Sequence, residues 1–410
     1  MNIFIIGSGV SGRAAQKLAT VLGYGSRMLS DGEAEISGRL FENIDLIVLS
    51  PGVRRGSPLL AAAEQSGIEI VGELEFAARR FPGRTLAITG TNGKTTTTEL
   101  TVALLQAAGL PATPAGNIGV PLSAVAAAVL SGELPPETLP VIEVSSFQLE
   151  RVRDFRPFAA VLLNVESDHI DRYPGGMAEY RAVKERIFRG VPPENRIFGR
   201  SMNPAGGRVT VSPAGVIAAD GRELLDFRLA KLKGAHNLEN LVAALELCCR
   251  VLPPERIMPP ELIAAALAFS PGRHRLEELP ESGGVRFVND SKATNPASVI
   301  AAVKALESKN LHIILGGLDK DMDFTPLRQY ADCFKGAYVI GRAAAKIIDC
   351  LGDVIPCTRY PDFPSCVRAA RAAARPGEIV LLSPGCASMD MFRDYQDRGD
   401  QFRKLVGEGA

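Results

Sequence analysis

Residues Ala87 to Leu100 read AITGTNGKTTTTEL: an apolar run, a cluster of glycine, lysine and threonine, then a stretch of helical composition. Glycines at such a strand-to-helix junction let successive backbone N–H groups face phosphate oxygens. Lys94 can reach terminal phosphates, and the Thr95 hydroxyl can ligate magnesium. The loop is shorter than the common GxxxxGK[ST] form, because Ile88 stands where the first glycine of that form would fall.

Outward from this loop, apolar β-branched runs alternate with alanine-rich helical segments, the pattern of parallel sheets with crossover helices, so the chain reads as α/β. The expected strands are NIFIIG, DLIVLS, TLAITG, LPVIEV, AAVLLN, VRFVND, LHIILG, GAYVIG and EIVLLS, most of them ending in a small or polar residue. Open α/β sheets place their ligands at such ends. Two proline–glycine breaks, RRFPGR at 79–84 and FSPGRHR at 269–275, divide the 410 residues into segments 1–82, 83–272 and 273–410. Each has the size of a domain.

Forty-six basic residues balance forty-six acidic ones, so no global field favours nucleic acid or an anionic membrane surface. No apolar run approaches the roughly 20 residues of a membrane span, and the opening MNIFIIGSGVSG has no basic leader. Seven scattered cysteines without CxxC spacing argue for reduced thiols and a cytoplasmic protein.

A second glycine cluster, IIGSGVSG, places Gly7, Gly9 and Gly12 in GxGxxG spacing after an apolar run, with Asp31 downstream where a ribose-binding acid would stand. Those glycines suit a dinucleotide, any other diphosphate ligand or a plain tight turn. The diphosphate reading is favoured. LSPGV at 49–53, containing Gly52, could form the other lip of that cleft.

Phosphoryl chemistry also needs a metal site. Glu143 interrupts the apolar run PVIEVSS and would point at magnesium if its strand neighbours the phosphate loop; the alternative is an edge strand with the carboxylate in solvent. LLNVESDHIDRYP supplies Asn164, Glu166, Asp168, His169 and Asp171, several of them ordinary loop caps, with His169 a ligand candidate. In MAEYRAVKERIF, Met177, Tyr180, Val183, Lys184 and Ile187 recur at helical spacing, which puts Lys184 on an apolar stripe. Its ammonium must snorkel, pair, or react with carbon dioxide to give a metal-binding carbamate.

The motifs GTNGKTT, AGNIG, EVSSFQLE, NVESDHIDRY, YRAVKERIF, GAHNLENLVAAL, VNDSKATNP and LLSPGCASMDMF occur together and in this order. In this the chain resembles the Mur ligases, the ATP-dependent amino-acid-adding enzymes of peptidoglycan synthesis, over nearly its whole length. NDSKATN with SPGCAS resembles the D-glutamate-adding branch. Where family members often carry a second glycine this chain has Ala115, Tyr395 stands where phenylalanine is common, and Ser30 is closest to the place of an acid near the uridine.

The resemblance implies three domains: a Rossmann-like domain for the UDP substrate, a central P-loop ATPase domain with a mainly parallel sheet, and a Rossmann-like domain for the incoming amino acid. Gly90, Thr91, Asn92, Gly93, Lys94, Thr95 and Thr96 would cradle ATP, joined by Asn237, Asn240, Arg275 and Asp290. Thr95, Glu143, His169 and carbamylated Lys184 would hold two magnesium ions, with Lys94, Glu143, His169 and Lys184 as the catalytic set. Val10, Ser11, Asp31, Gly52 and Asn117 would meet the UDP substrate. Lys292, Thr294, Lys320, Ser388 and Tyr395 would receive the amino acid.

The expected reaction is activation of the carboxylate of UDP-N-acetylmuramoyl-L-alanine by ATP, then attack of D-glutamate on the acyl phosphate, by a monomeric enzyme whose third domain closes before chemistry. Another Mur-type or folylpolyglutamate-type ligase is the alternative. A nicotinamide dehydrogenase would leave the phosphate loop unexplained. A P-loop switch protein of the GTPase kind would carry an NKxD sequence, which this chain lacks.

Overall fold

A computed structural model describes residues 1–30, 39–54, 56–168, 172–203, 207–253 and 259–407. The chain folds into two compact units. One comprises Met1–Val165, Ala178–Lys231 and Glu239–Phe269, and the other Glu166–Met177, Leu232–Leu238 and Ser270–Ala410.

The first unit opens with β1 (Asn2–Ile6), α1 (Val10–Val21), β2 (Gly25–Leu29), β3 (Leu46–Leu49), α2 (Pro58–Gln65), β4 (Ile70–Gly72) and α3 (Glu73–Ala78). The strands pair in parallel in the order β2-β1-β3-β4. Four of the five residues of β1 and all four of β3 are buried, as an inner strand covered on both faces requires. Ser57 caps α2 by accepting from the Leu60 N–H, and Pro58 follows in the first turn, where a missing N–H costs nothing.

A second parallel sheet follows from β5 (Leu86–Thr89), α4 (Lys94–Ala107), β6 (Ala112–Gly116), α5 (Leu122–Leu130), β7 (Leu139–Glu143), α6 (Ser146–Leu149), β8 (Ala159–Leu162), α7 (Gly176–Glu185) and β9 (Arg196–Phe198). Its order is β6-β7-β5-β8-β9. The phosphate-loop strand β5 is therefore central, flanked by β7 and β8. Within this unit α1 and α3 pack on α5. Glu75, fully buried on α3, accepts N–H bonds from Arg153, Asp154 and Phe155 and pairs with Arg79 at 2.8 Å. A buried carboxylate is tolerated there because both oxygens are satisfied. A small antiparallel sheet of β10 (Val209–Val211), β11 (Val216–Ala219) and β12 (Arg222–Asp226) precedes α8 (Ala235–Val251) and α9 (Pro260–Ala268).

The second unit is built on β13 (Glu277–Ser282), β14 (Val285–Asn289), α10 (Pro296–Leu306), β15 (Leu311–Gly316), β16 (Phe334–Ile340), α11 (Ala344–Leu351), β17 (Cys357–Arg359), α12 (Phe363–Ala373), β18 (Ile379–Leu382) and α13 (Tyr395–Gly407). The sheet runs β13-β14-β18-β15-β16-β17, parallel except for β13. Helices on both faces bury β15 and β18 completely. The neighbouring strands β14, β18 and β15 all end at one edge, so the loops that follow them share that edge. The α/β class with parallel sheets is thus the one expected from the sequence, and all seven cysteines are free thiols.

Candidate active site

The phosphate loop is shaped before any ligand is considered. Gly93, the residue before α4, has φ of 82°, and a Cβ there would stand 2.2 Å from Asn240 Oδ1, so only glycine fits. Across the loop, Asn164 accepts from the Asn92 N–H at 2.8 Å and returns its carboxamide N–H to the Asn92 carbonyl at 3.2 Å, while its own carbonyl takes the Thr91 N–H. Thr97 Oγ1 donates to Asn240 Oδ1 at 3.2 Å, which fixes α4 on α8. The loop is held from two sides, with the first turn of α4 after it (Lys94, Thr95, Thr96). That is the geometry of an anion site at a helix N-terminus.

Register puts Glu143 beside this loop, because β7 pairs with β5 at Ile88. The carboxylate is 1% exposed; it accepts from Thr95 Oγ1 at 2.6 Å and from the Asn117 carboxamide at 2.7 Å. The edge-strand alternative is excluded, since β7 lies between β6 and β5. Gly116 carries φ of 94°, and a Cβ on it would meet the Glu143 carbonyl at 2.3 Å, so glycine at this position lets β6 approach. Asn117 Nδ2 is thereby engaged with Glu143.

Lys184 is 1% exposed on α7, as its place on the apolar stripe predicts, and it does not snorkel. Its ammonium donates to the Gly90 carbonyl at 2.8 Å and lies 4.6 Å from the centre of the Tyr180 ring. Lys94 donates to the same Gly90 carbonyl at 2.8 Å and to the Thr91 carbonyl at 2.7 Å. Tyr180 Oη lies 3.4 Å from Thr91 Oγ1. Lys94, Thr95, Glu143 and Lys184 therefore converge. A buried carboxylate beside a threonine hydroxyl is an all-oxygen donor pair, which fits magnesium: that ion uses one or two carboxylates and keeps several waters. Among the described residues no group of three or more His, Cys, Asp or Glu side chains gathers as a metal site. His169 lies outside the described residues, as does Asp31.

The other nucleotide candidates of the first unit, Val10, Ser11 and Gly52, stand where β1 and β3 end. Gly12 brings α1 so close to the Gly7 carbonyl that a Cβ would lie 1.8 Å from it. Ser30, just after β2, shares a hydrogen bond between its hydroxyl and that of Ser8.

The second unit holds its own cluster. Asp290, buried at the end of β14, accepts from Ser383 Oγ at 2.8 Å and from the Leu276 N–H at 3.2 Å; burial raises its carboxyl to about 7. Lys292 lies over the Tyr395 ring at 3.9 Å, a cation–π contact. Thr294 follows on the same loop, Ser388 is buried on the loop after β18, and Lys320 lies on the loop after β15. Asn237 donates its side-chain N–H to the Lys233 carbonyl, next to Arg275's unit-mate Leu238 in sequence.

Sequence reasoning missed Arg398, which organises these loops. It is fully buried; its guanidinium donates to Ser291 Oγ at 2.9 Å, to the Ser291 carbonyl at 2.7 Å and to the Cys386 carbonyl at 3.1 Å. Burial lowers its pKa to about 10. The signal was available: Arg398, Phe402 and Val406 recur every four residues on the buried face of α13, the same logic that singled out Lys184.

The family description "Mur ligase middle domain" matches residues 88–214, and "Mur ligase, glutamate ligase domain" matches 274–386. A UDP-N-acetylmuramoylalanine–D-glutamate ligase of Acidobacterium capsulatum is 39% identical over 397 residues, covering 89% of this chain and 83% of the relative. The chain belongs to the Mur ligase family. A D-glutamate ligase of Anaeromyxobacter dehalogenans is 40% identical, covering 90% of this Mur ligase and 85% of that relative. Among solved structures, the UDP-N-acetylmuramate–alanine ligase of Thermotoga maritima shares the fold with a TM-score of 0.64 at 16% identity, covering all of both chains. A bifunctional folylpolyglutamate synthase/dihydrofolate synthase, solved with Mn, AMPPNP and L-glutamate bound, gives a TM-score of 0.59 at 17% identity over 86% of this chain and 98% of that one. Among the described residues of this Mur ligase, no helix is long and apolar enough to cross a membrane.

Proposed function

We propose that this Mur ligase uses ATP to join D-glutamate to UDP-N-acetylmuramoyl-L-alanine, in peptidoglycan precursor synthesis, through an acyl phosphate. The observation that carries the reading is the convergence of Lys94, Thr95, Glu143 and Lys184 on one phosphate loop, in a chain whose relatives at 39 and 40% identity are D-glutamate ligases.

A carboxylate is a poor electrophile, and its charge repels the triphosphate. In the proposed sequence a carboxylate oxygen of the alanyl group attacks the γ-phosphorus, and ADP leaves. The D-glutamate amine then attacks the acyl carbon, loses a proton, and inorganic phosphate departs as the amide forms. The loop N–H groups and Lys94 hold the phosphates in line, and Lys94 exchanges its two loop carbonyls for phosphate oxygens. Bound magnesium, at two sites, would neutralise part of the charge where the two anions meet. Thr95 and Glu143 would hold one ion; His169 and Lys184 would serve the other.

Two ammonium groups on one carbonyl in a buried place repel each other. Converting Lys184 to an anionic carbamate removes that repulsion and supplies a further oxygen ligand. The nucleotide base and ribose would meet Asn237, Asn240, Arg275 and Asp290, and the UDP substrate Val10, Ser11, Asp31, Gly52 and Asn117. Lys292, Thr294, Lys320, Ser388 and Tyr395 would take D-glutamate. We assign residues 1–82 to the UDP substrate, 83–272 to ATP and catalysis and 273–410 to the incoming amino acid, and infer a cytoplasmic monomer.

The test is isotopic. With ¹⁸O in the alanyl carboxylate, one label atom should appear in the released phosphate for each amide formed. Amide formation with unlabelled phosphate would overturn the acyl-phosphate route.

A further inference from the structure

The loop after β15 poses a charge problem. Its residues 317–323 read GLDKDMD, so Lys320, the cation offered to an anionic amino acid, is set among three aspartates. Asp319, Lys320 and Asp321 together carry one negative charge, the wrong sign for binding D-glutamate, whose own net charge is negative at neutral pH.

The structure shows where the aspartates turn. Lys346, on α11 and outside the loop, places its ammonium 3.2 Å from Asp319 Oδ2 and 3.4 Å from Oδ1, and 3.6 Å from Asp321 Oδ1. Asp319 also accepts the Met322 N–H, so its carboxylate is fixed by the loop and by the helix together. Asp321 sits at φ of 58°, a left-handed conformation that aspartate tolerates better than most residues. Asp323 spends its carboxylate on the Thr325 N–H. Asp390, from the loop after β18, accepts the Arg342 N–H and lies within the field of buried Arg398. Lys320 itself makes no hydrogen bond or ion pair among the described residues.

We propose that Lys346 is a positioning residue for D-glutamate: it draws Asp319 and Asp321 onto α11 and leaves the Lys320 ammonium to a substrate carboxylate. This rests on the D-glutamate reading above and adds a residue to it. Lys346 acts through charge and through the loop, without touching the amino acid. Lys346 is one-third exposed and the Asp321 side chain nine-tenths exposed, so solvent screens the Asp321 pair strongly and Asp319 carries most of the effect.

The experiment is steady-state kinetics on the full chain with D-glutamate varied. In Lys346→Met the KM for D-glutamate should rise about tenfold, the size of one partly screened charge, while kcat and the KM for ATP stay within about threefold. Adding Asp319→Asn and Asp321→Asn to Lys346→Met should restore the KM, because the carboxylates that Lys346 offsets are then gone. A purely structural role would leave the triple variant impaired. Asp319→Asn/Asp321→Asn without the lysine change supplies a readout even if Lys346→Met fails to fold, and should lower or preserve the KM for D-glutamate. An unchanged KM in Lys346→Met, an unrestored triple variant, or a raised KM in the double asparagine variant would overturn the proposal. Wild-type protein that releases no phosphate with D-glutamate would instead overturn the reading beneath it.

Discussion

Lys94 and Lys184 donate to the same carbonyl oxygen, that of Gly90, each at 2.8 Å. One residue comes from the start of α4 and the other from α7, so a single backbone acceptor joins the phosphate loop to the buried lysine. Removing the Lys184 amine should lower ligation on the order of 100- to 1,000-fold, as expected when one preorganised charged group is lost from a reaction centre. Lys184→Ala kinetics with added short carboxylic acids check this: partial rescue by the acid, and none by bicarbonate, is the expected pattern. Full activity without additive would remove Lys184 from the mechanism.

Gly93→Ala should destabilise the first unit by about 1–3 kcal/mol, because a left-handed backbone and a close approach to Asn240 both oppose a Cβ. Urea unfolding measures the loss, and ATP affinity should fall with it. Unchanged stability would mean that α8 yields at Asn240.

Asp290 gives a pH dependence with a definite sign. Its folded carboxyl is raised to about 7, chiefly by burial, against about 3.9 in an unfolded chain. The folded protein therefore keeps a proton that the unfolded chain releases, so this group's contribution is fully present below about pH 4 and is lost as pH rises through about 7. Asp290→Asn cannot ionise, so its stability relative to wild type should improve between pH 5 and pH 8. Urea midpoints of both proteins at the two pH values test this, and a gap independent of pH would refute it.

How much of this was legible in the sequence follows the position of each strand. The nine apolar runs read from the sequence correspond to β1, β3, β5, β7, β8, β14, β15, β16 and β18, every one an inner strand of a parallel sheet. Among the described residues, β2, β4, β6, β9, β13 and β17, which were not foreseen, are the edge strands of the three larger sheets. An inner strand is covered on both faces and is apolar over most of its length, whereas an edge tolerates Gly25 or Arg196. The small sheet β10 to β12 is short and half exposed, and it also gave no signal. At the site, Glu143 and Lys184 were legible because a charge broke an apolar pattern. Asn164 reads in the sequence as a possible loop cap, but its hold on the phosphate loop was not legible, and Ser291 was not singled out at all, since polar residues in loops carry no periodicity and their roles depend on which strands are neighbours.

Arg398→Met should lower the stability of the second unit by about 3 kcal/mol, since two carbonyls and a serine hydroxyl lose a buried donor. It should also raise the KM for D-glutamate, because the loops carrying Lys292 and Ser388 are both tied to this guanidinium. Denaturant unfolding and D-glutamate kinetics together check the claim. A destabilised variant with an unchanged KM would confine Arg398 to folding.

The central claim is the identity of the amine. Purified protein, UDP-N-acetylmuramoyl-L-alanine, ATP and magnesium should release phosphate when D-glutamate is supplied, and should stay at background with L-glutamate or diaminopimelate. Equal turnover with L-glutamate, or turnover only with another amino acid, would contradict the account.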